Sequence, residues 1–155
     1  MARFGRATPE VLPRKRGSTT HVIIMDGTMS TLAEGHETNA GLSYKMLAEL
    51  DGDISVFYEH GLQWSIWRRP GDVLMGRGIN HQIRRAYGYL ASRYRTGDKV
   101  ILLGFSRGAY AVRSLAGVID MVGLLQSNQA TQRRIRDAYR HYRRAPQSGS
   151  AKAVQ

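Results

Sequence analysis

Lys99-Val-Ile-Leu-Leu-Gly-Phe-Ser106-Arg-Gly-Ala-Tyr-Ala-Val-Arg113 carries the strongest structural signal in the chain. It opens with an apolar run of strand length, the clearest buried strand in the sequence, which breaks at Gly104. After Arg107 the residues are small and apolar, with Ala109, Ala111, Ser114 and Ala116 suited to a helix lying close to a sheet. Between strand and helix stands Gly104-Phe-Ser106-Arg-Gly108, the pattern G-x-S-x-G. A serine nucleophile needs that context. A tight strand-to-helix turn lifts its Oγ above the carboxyl edge of the sheet, and the flanking glycines permit the strained backbone. The backbone N–H of Arg107, at the helix start, then points toward a developing oxyanion. A helix-capping serine in a glycine-flanked turn is the plainer reading of the same residues.

Upstream, His21-Val-Ile-Ile-Met-Asp26 reads as a buried strand ending in the turn Asp26-Gly27-Thr28. A polar loop runs to Thr38. Asn39 to Leu50 then reads as a helix with Leu42, Met46 and Leu50 on one face. Ile54 to Tyr58 is a second strand. Residues 59 to 76 form a long loop with His60, Trp64 and Trp67. Gly78 to Tyr94 is helical, with Ile79, Ile83, Ala86, Tyr87 and Leu90 at spacings of three and four. Arg107 to Met121 is the helix after the serine, ended near Gly123. Gln129 to Arg144 is the last, with Ile135, Ala138, Tyr139 and Tyr142 on one face and arginines elsewhere. Strands alternating with helices imply an α/β domain around a parallel sheet.

The chain has 155 residues, enough for one domain with a core of its own. It holds no cysteine, which excludes disulfides and thiolate metal sites. No apolar run is long enough for a membrane-spanning helix. Lys and Arg number 23 against 12 acidic residues, a net charge of +11. Such a surplus favours polyanions: nucleic acid, anionic lipid headgroups or phosphorylated substrates. The excess concentrates in Arg3 to Arg16 and Arg133 to Arg144. Residues 1–19 read as a flexible basic arm without the apolar segment of a signal peptide, and 145–155 as a disordered tail. A cytoplasmic location is expected, with export by a route that ignores signal peptides left open.

Loops at the carboxyl ends of parallel strands line the ligand crevice. Gly27 and Thr28 are therefore candidates for a second oxyanion N–H opposite Arg107, and Asp26 for orienting that loop or binding a metal. An ordinary Asp-Gly turn accounts for them equally well. No metal cluster of convincing spacing exists, and no cofactor is expected. A serine hydrolase also needs an acid and a histidine. Downstream of Ser106 lie only Asp120, Asp137 and His141. Asp120 falls inside the helix after the serine. Asp137 and His141 are expected to pair with each other on the surface of the last helix. His21, His36, His60 and His81 precede the serine, and His60 is singled out by its long aromatic loop. The arginine-rich last helix can touch a phosphate backbone, but an amphipathic helix packing its tyrosines is preferred, so nucleic acid is not the expected partner.

At these residues the sequence resembles the N-terminal part of the α/β-hydrolase domain of type VI secretion phospholipase effectors, a domain often described only as one of unknown function. The matching stretches are Met25-Asp-Gly-Thr28, Thr38-Asn39, Tyr58 with Gly61, Ala86-Tyr87, Tyr94 with Gly97-Asp98, Gly104 to Arg113, and Gly117 to Leu125. They span residues 20–144. The resemblance implies a partial α/β-hydrolase-like fold, a parallel sheet with helices on both faces, truncated after the helix that follows the serine. It implies a serine esterase or phospholipase with Ser106 as nucleophile. It also implies that the acid and histidine come from later segments, leaving the triad incomplete here. The expected partners are an ester or phospholipid substrate, an anionic membrane surface, and a second chain or homo-oligomer covering the open sheet. The alternatives are an inactive remnant or interaction module, and a basic module binding anionic lipid or nucleic acid.

Overall fold

The computed structural model describes residues 17–27, 30–61 and 77–145. The basic arm up to residue 16, Thr28, most of the 59–76 loop and the tail from 146 lie outside them. The described elements are β1 (Thr20–Met25), α1 (Asn39–Ala48), β2 (Ile54–Glu59), α2 (Arg77–Arg93), β3 (Lys99–Gly104), α3 (Arg107–Val122), a 3-10 turn (Ser127–Gln129) and α4 (Gln132–Arg144). The expected alternation of strands and helices holds, with boundaries agreeing to within three residues.

The strands form one parallel sheet in the order β2-β1-β3. β1 is central. Met25 pairs with Glu59 on one side and Gly104 on the other. A central parallel strand is covered on both faces, so Val22, Ile23, Ile24 and Met25 are all apolar and all buried. Alternation then assigns the faces. Ile23 and Met25 join Phe57 and Leu102 in a core with α2, α3 and α4. Tyr58 turns the other way and stacks on Tyr44 of α1, ring centroids 4.9 Å apart. Helices thus cover both faces, α1 on one and α2 to α4 on the other.

The larger core is built from helical spacing. Ile83, Ala86, Tyr87 and Leu90 of α2 meet Ala111, Val112, Leu115 and Val118 of α3, and Ile135 and Ala138 of α4 close the layer. Burying a side chain of this size contributes about 1.5–3 kcal/mol. Tyr87 keeps its polar end satisfied. Its hydroxyl donates to the Gly123 carbonyl at 2.9 Å and accepts from Leu125 N–H at 3.2 Å. Gly123 ends α3 at φ 80°, a backbone that suits glycine.

One expectation changes. β3 is an edge strand rather than a buried one. Ile101 and Leu103 share the α1 face of the sheet, yet α1 lies over β1 and β2 and leaves them exposed. The face of α1 bearing Leu42 and Met46 looks outward, with Met46 70% exposed, and Leu50, beyond the end of the helix, is exposed as well. Only Gly41 of that helix is buried. The spacing of that stripe sets one face of the helix and leaves open the direction in which it points.

Candidate active site

Ser106 stands between β3 and α3 at φ 54°, ψ −122°, the one non-glycine residue with positive φ among the described residues. A side chain there carries a strain of order 1–3 kcal/mol, which persists only when its surroundings hold it. Three hydrogen bonds do so. Phe105 N–H donates to the Met25 carbonyl at 3.1 Å, Gly108 N–H to the Phe105 carbonyl at 2.9 Å, and Ala109 N–H to the Ser106 carbonyl at 3.0 Å. The two flanking glycines are steric requirements. A Cβ on Gly108 would lie 2.0 Å from the Met25 carbonyl oxygen, and one on Gly104 2.6 Å from the Gly108 carbonyl oxygen. The helix therefore docks against the strand ends backbone to backbone. Ser106 itself is exposed.

The loop after β1 forms the opposite wall. Gly27 is buried, and a Cβ there would lie 3.3 Å from Ser106 Cβ and 2.9 Å from the Phe105 ring. The helices following the adjacent strands β1 and β3 lie on opposite faces of the sheet. That divergence falls at the strands' carboxyl ends, where open α/β sheets usually take their ligands. Asp26, Gly27, Ser106 and Arg107, the first residue of α3, meet there. Thr28 lies outside the described residues.

Asp26 is the organiser of that wall. It is buried, and its Oδ1 accepts from Gly27 N–H at 2.6 Å. Its Oδ2 accepts from the Thr38 hydroxyl at 2.5 Å and from the Tyr58 hydroxyl at 2.7 Å. Thr38 also caps α1, accepting from Gly41 N–H at 3.0 Å. One carboxylate thus ties the ends of β1 and β2 to the start of α1. Burial and the bond to Asp26 push the Tyr58 phenol up to about 12, so it remains a donor. These three bonds are the contacts the structure gives the carboxylate of Asp26, the candidate loop-orienting residue. Gly27 N–H already donates to Asp26. Thr38 and Tyr58 had no role assigned from sequence, because nothing local marks partners 12 and 32 positions away.

The remaining candidates are scattered. His21 is buried at the amino end of β1 and paired with Asp98 at 3.1 Å, across the sheet from Ser106. Asp98 also accepts from the Thr19 and Arg95 amides at 2.9 Å. His36 is exposed in the loop before α1. His60 lies on the serine's edge of the sheet, at the end of β2, with Nδ1 3.1 Å from the Gly61 carbonyl. His81 and His141 are exposed on α2 and α4, and Asp120 is exposed on α3. Asp137 does not pair with His141; it takes Arg140 at 2.9 Å, because a full cation is nearby at i+3. Among the described residues no group of histidine and acidic side chains could hold a metal ion.

Glu59 was not anticipated. It ends β2 with a buried side chain, one oxygen 3.4 Å from Arg85 and the other without a hydrogen-bond partner. Burial raises its carboxyl above the usual range, while Arg85 pulls the other way. A charged residue closing an apolar strand was the available signal.

The family model described as the T6SS phospholipase effector Tle1-like catalytic domain matches residues 19–155. The chain belongs to this family. Its Tle1-like match begins just before β1 and runs through every described element. An uncharacterised protein of Saccharomyces cerevisiae is similar as well, 33% identical over 120 residues that cover 67% of this chain and 18% of the yeast protein. The chain thus spans under a fifth of the length of that curated relative. No solved structure matches.

Proposed function

We propose that this Tle1-like chain is a serine hydrolase domain acting on ester bonds of a phospholipid, with Ser106 as nucleophile. The positive φ of Ser106, held between Gly104 and Gly108 at the sheet's carboxyl edge, carries the reading. Its Oγ would attack the ester carbonyl carbon and pass its proton to a base. The tetrahedral oxyanion would sit in the crevice between α3 and the β1 loop. Arg107 N–H, at the first position of α3, is the first donor in this scheme. Thr28 N–H is the preferred second, since Gly27 N–H serves Asp26. Asp26 acts by positioning. Collapse of the intermediate releases the alcohol with the proton returned by the base, and water then frees the acid.

A fluorophosphonate probe on the folded 155-residue chain tests this. Labelling of the wild type that disappears in Ser106→Ala is expected. Labelling that survives the substitution overturns the assignment. His60→Ala and His141→Ala then identify the base: loss in one names it, and retention in both places it elsewhere.

The second reading is an elbow without a working base. It is favoured by one observation: among the described residues no histidine is hydrogen-bonded to Ser106. An unlabelled wild type with a native far-UV spectrum is its expected signature.

A further inference from the structure

The end of the molecule that bears Ser106 also gathers arginines and exposed aromatic rings. Gln82 of α2 donates to the His60 carbonyl at 2.8 Å, which sets the start of α2 at the carboxyl edge of the sheet. Tyr139 of α4 donates to Asn80 Oδ1 at 2.7 Å, bringing the second half of α4 to the same edge. Tyr142 packs on Gly117, where a Cβ would lie 3.0 Å from its ring, and shares a hollow with Ala109, Tyr110 and Arg113 of α3. The arginines that follow, Arg143 and Arg144, are exposed, as are Arg140 and Arg113. Beside them Phe105 and Tyr110 are 56% and 64% exposed, flanking the nucleophile position in sequence and in space.

Asp137 is the sole acidic residue of α4, and it neutralises only Arg140. Fixed positive charge around partly exposed aromatic rings suits an anionic lipid surface. Arginines attract anionic headgroups, and amphipathic rings settle at the headgroup level. A nucleic-acid face would use the same charges and could stack bases on the rings, but it would give no reason for the rings to flank the serine.

We propose that the C-terminal half of α4, with Arg113, Tyr110 and Phe105, is an interfacial face that docks on anionic phospholipid bilayers and presents Ser106 to the membrane surface. This rests on the hydrolase reading for its purpose, but binding is measured without turnover.

The test is co-sedimentation of the full chain with vesicles of phosphatidylcholine alone and of phosphatidylcholine with phosphatidylglycerol, at low and high salt. Binding to the anionic vesicles, weakened by salt, is expected. The triple variant Arg140→Gln, Arg143→Gln, Arg144→Gln should weaken it about a hundredfold. All three side chains are exposed, so the fold is expected to survive, as far-UV circular dichroism will report. Tyr110→Ser should weaken binding severalfold with the charge unchanged. Ser106→Ala should bind as the wild type does, so a failed hydrolase leaves this result standing. Undiminished binding by the triple variant overturns the proposal. So does a preference for duplex DNA over anionic vesicles, which would reassign the face to nucleic acid.

Discussion

Ser106 occupies a backbone that only glycine enters freely, and that makes its strain measurable. Ser106→Gly should be more stable than Ser106→Ala by about 1 kcal/mol, since alanine keeps a Cβ at the same φ. Urea denaturation of the two variants gives the difference. At Gly108 the sign reverses. Its missing Cβ is where the Met25 carbonyl sits, so Gly108→Ala should cost about 3 kcal/mol or prevent folding. Glu59 gives a pH signature. Its carboxyl is raised in the folded protein, so the native state binds that proton more tightly than the unfolded chain. Its contribution is fully favourable below the ordinary value of 4.5 and is lost as pH rises through the raised folded value. Glu59→Gln should therefore be the more stable protein at neutral pH and the two should converge in acid, as unfolding midpoints across pH will show. The serine and its glycines were legible because G-x-S-x-G is contiguous. Asp26's partners and the burial of Glu59 were not, because long-range packing creates them.

The helices differ in how their apolar residues are spent. Leu115 is fully buried in α3 between sheet and helices, so Leu115→Ala should cost about 2–5 kcal/mol. Met46 carries the same apolar signal in α1 but faces outward, so Met46→Ala should change stability by less than about 0.5 kcal/mol. Thermal or urea unfolding of the pair separates a helix that builds the core from one that only leans on it. Periodicity located both helices. It could not show that α1 turns its stripe outward, because a helical repeat fixes a stripe and not the direction it faces. The same holds for α4, whose tyrosines do turn inward as expected.

At the scale of the whole molecule, the described residues leave apolar side chains exposed on β3, at Ile101 and Leu103, and on the outer stripe of α1. Leu103→Lys should leave the unfolding midpoint within about 0.5 kcal/mol of wild type while reducing self-association in sedimentation. A large loss of stability would mean that Leu103 is buried in solution. Alternation of strands and helices made the sheet's class readable from sequence. Strand order was not, because an apolar run reads alike at the centre and at the edge of a sheet, and the clearest one, β3, lies at the edge.

The central place of β1 has a consequence in time. Among the described strands it is the first to be translated, yet one of its two neighbours is β3; Thr19 and Asp98, bonded across that seam, are 79 positions apart. At about 5–20 residues per second, β1 waits roughly 4–16 s for its last neighbour to be translated. During that interval at least half the sheet-forming backbone groups of Val-Ile-Ile-Met are unanswered. A nascent chain arrested before Lys99 should therefore be a better client for a hydrophobic-segment chaperone than one arrested past Leu125.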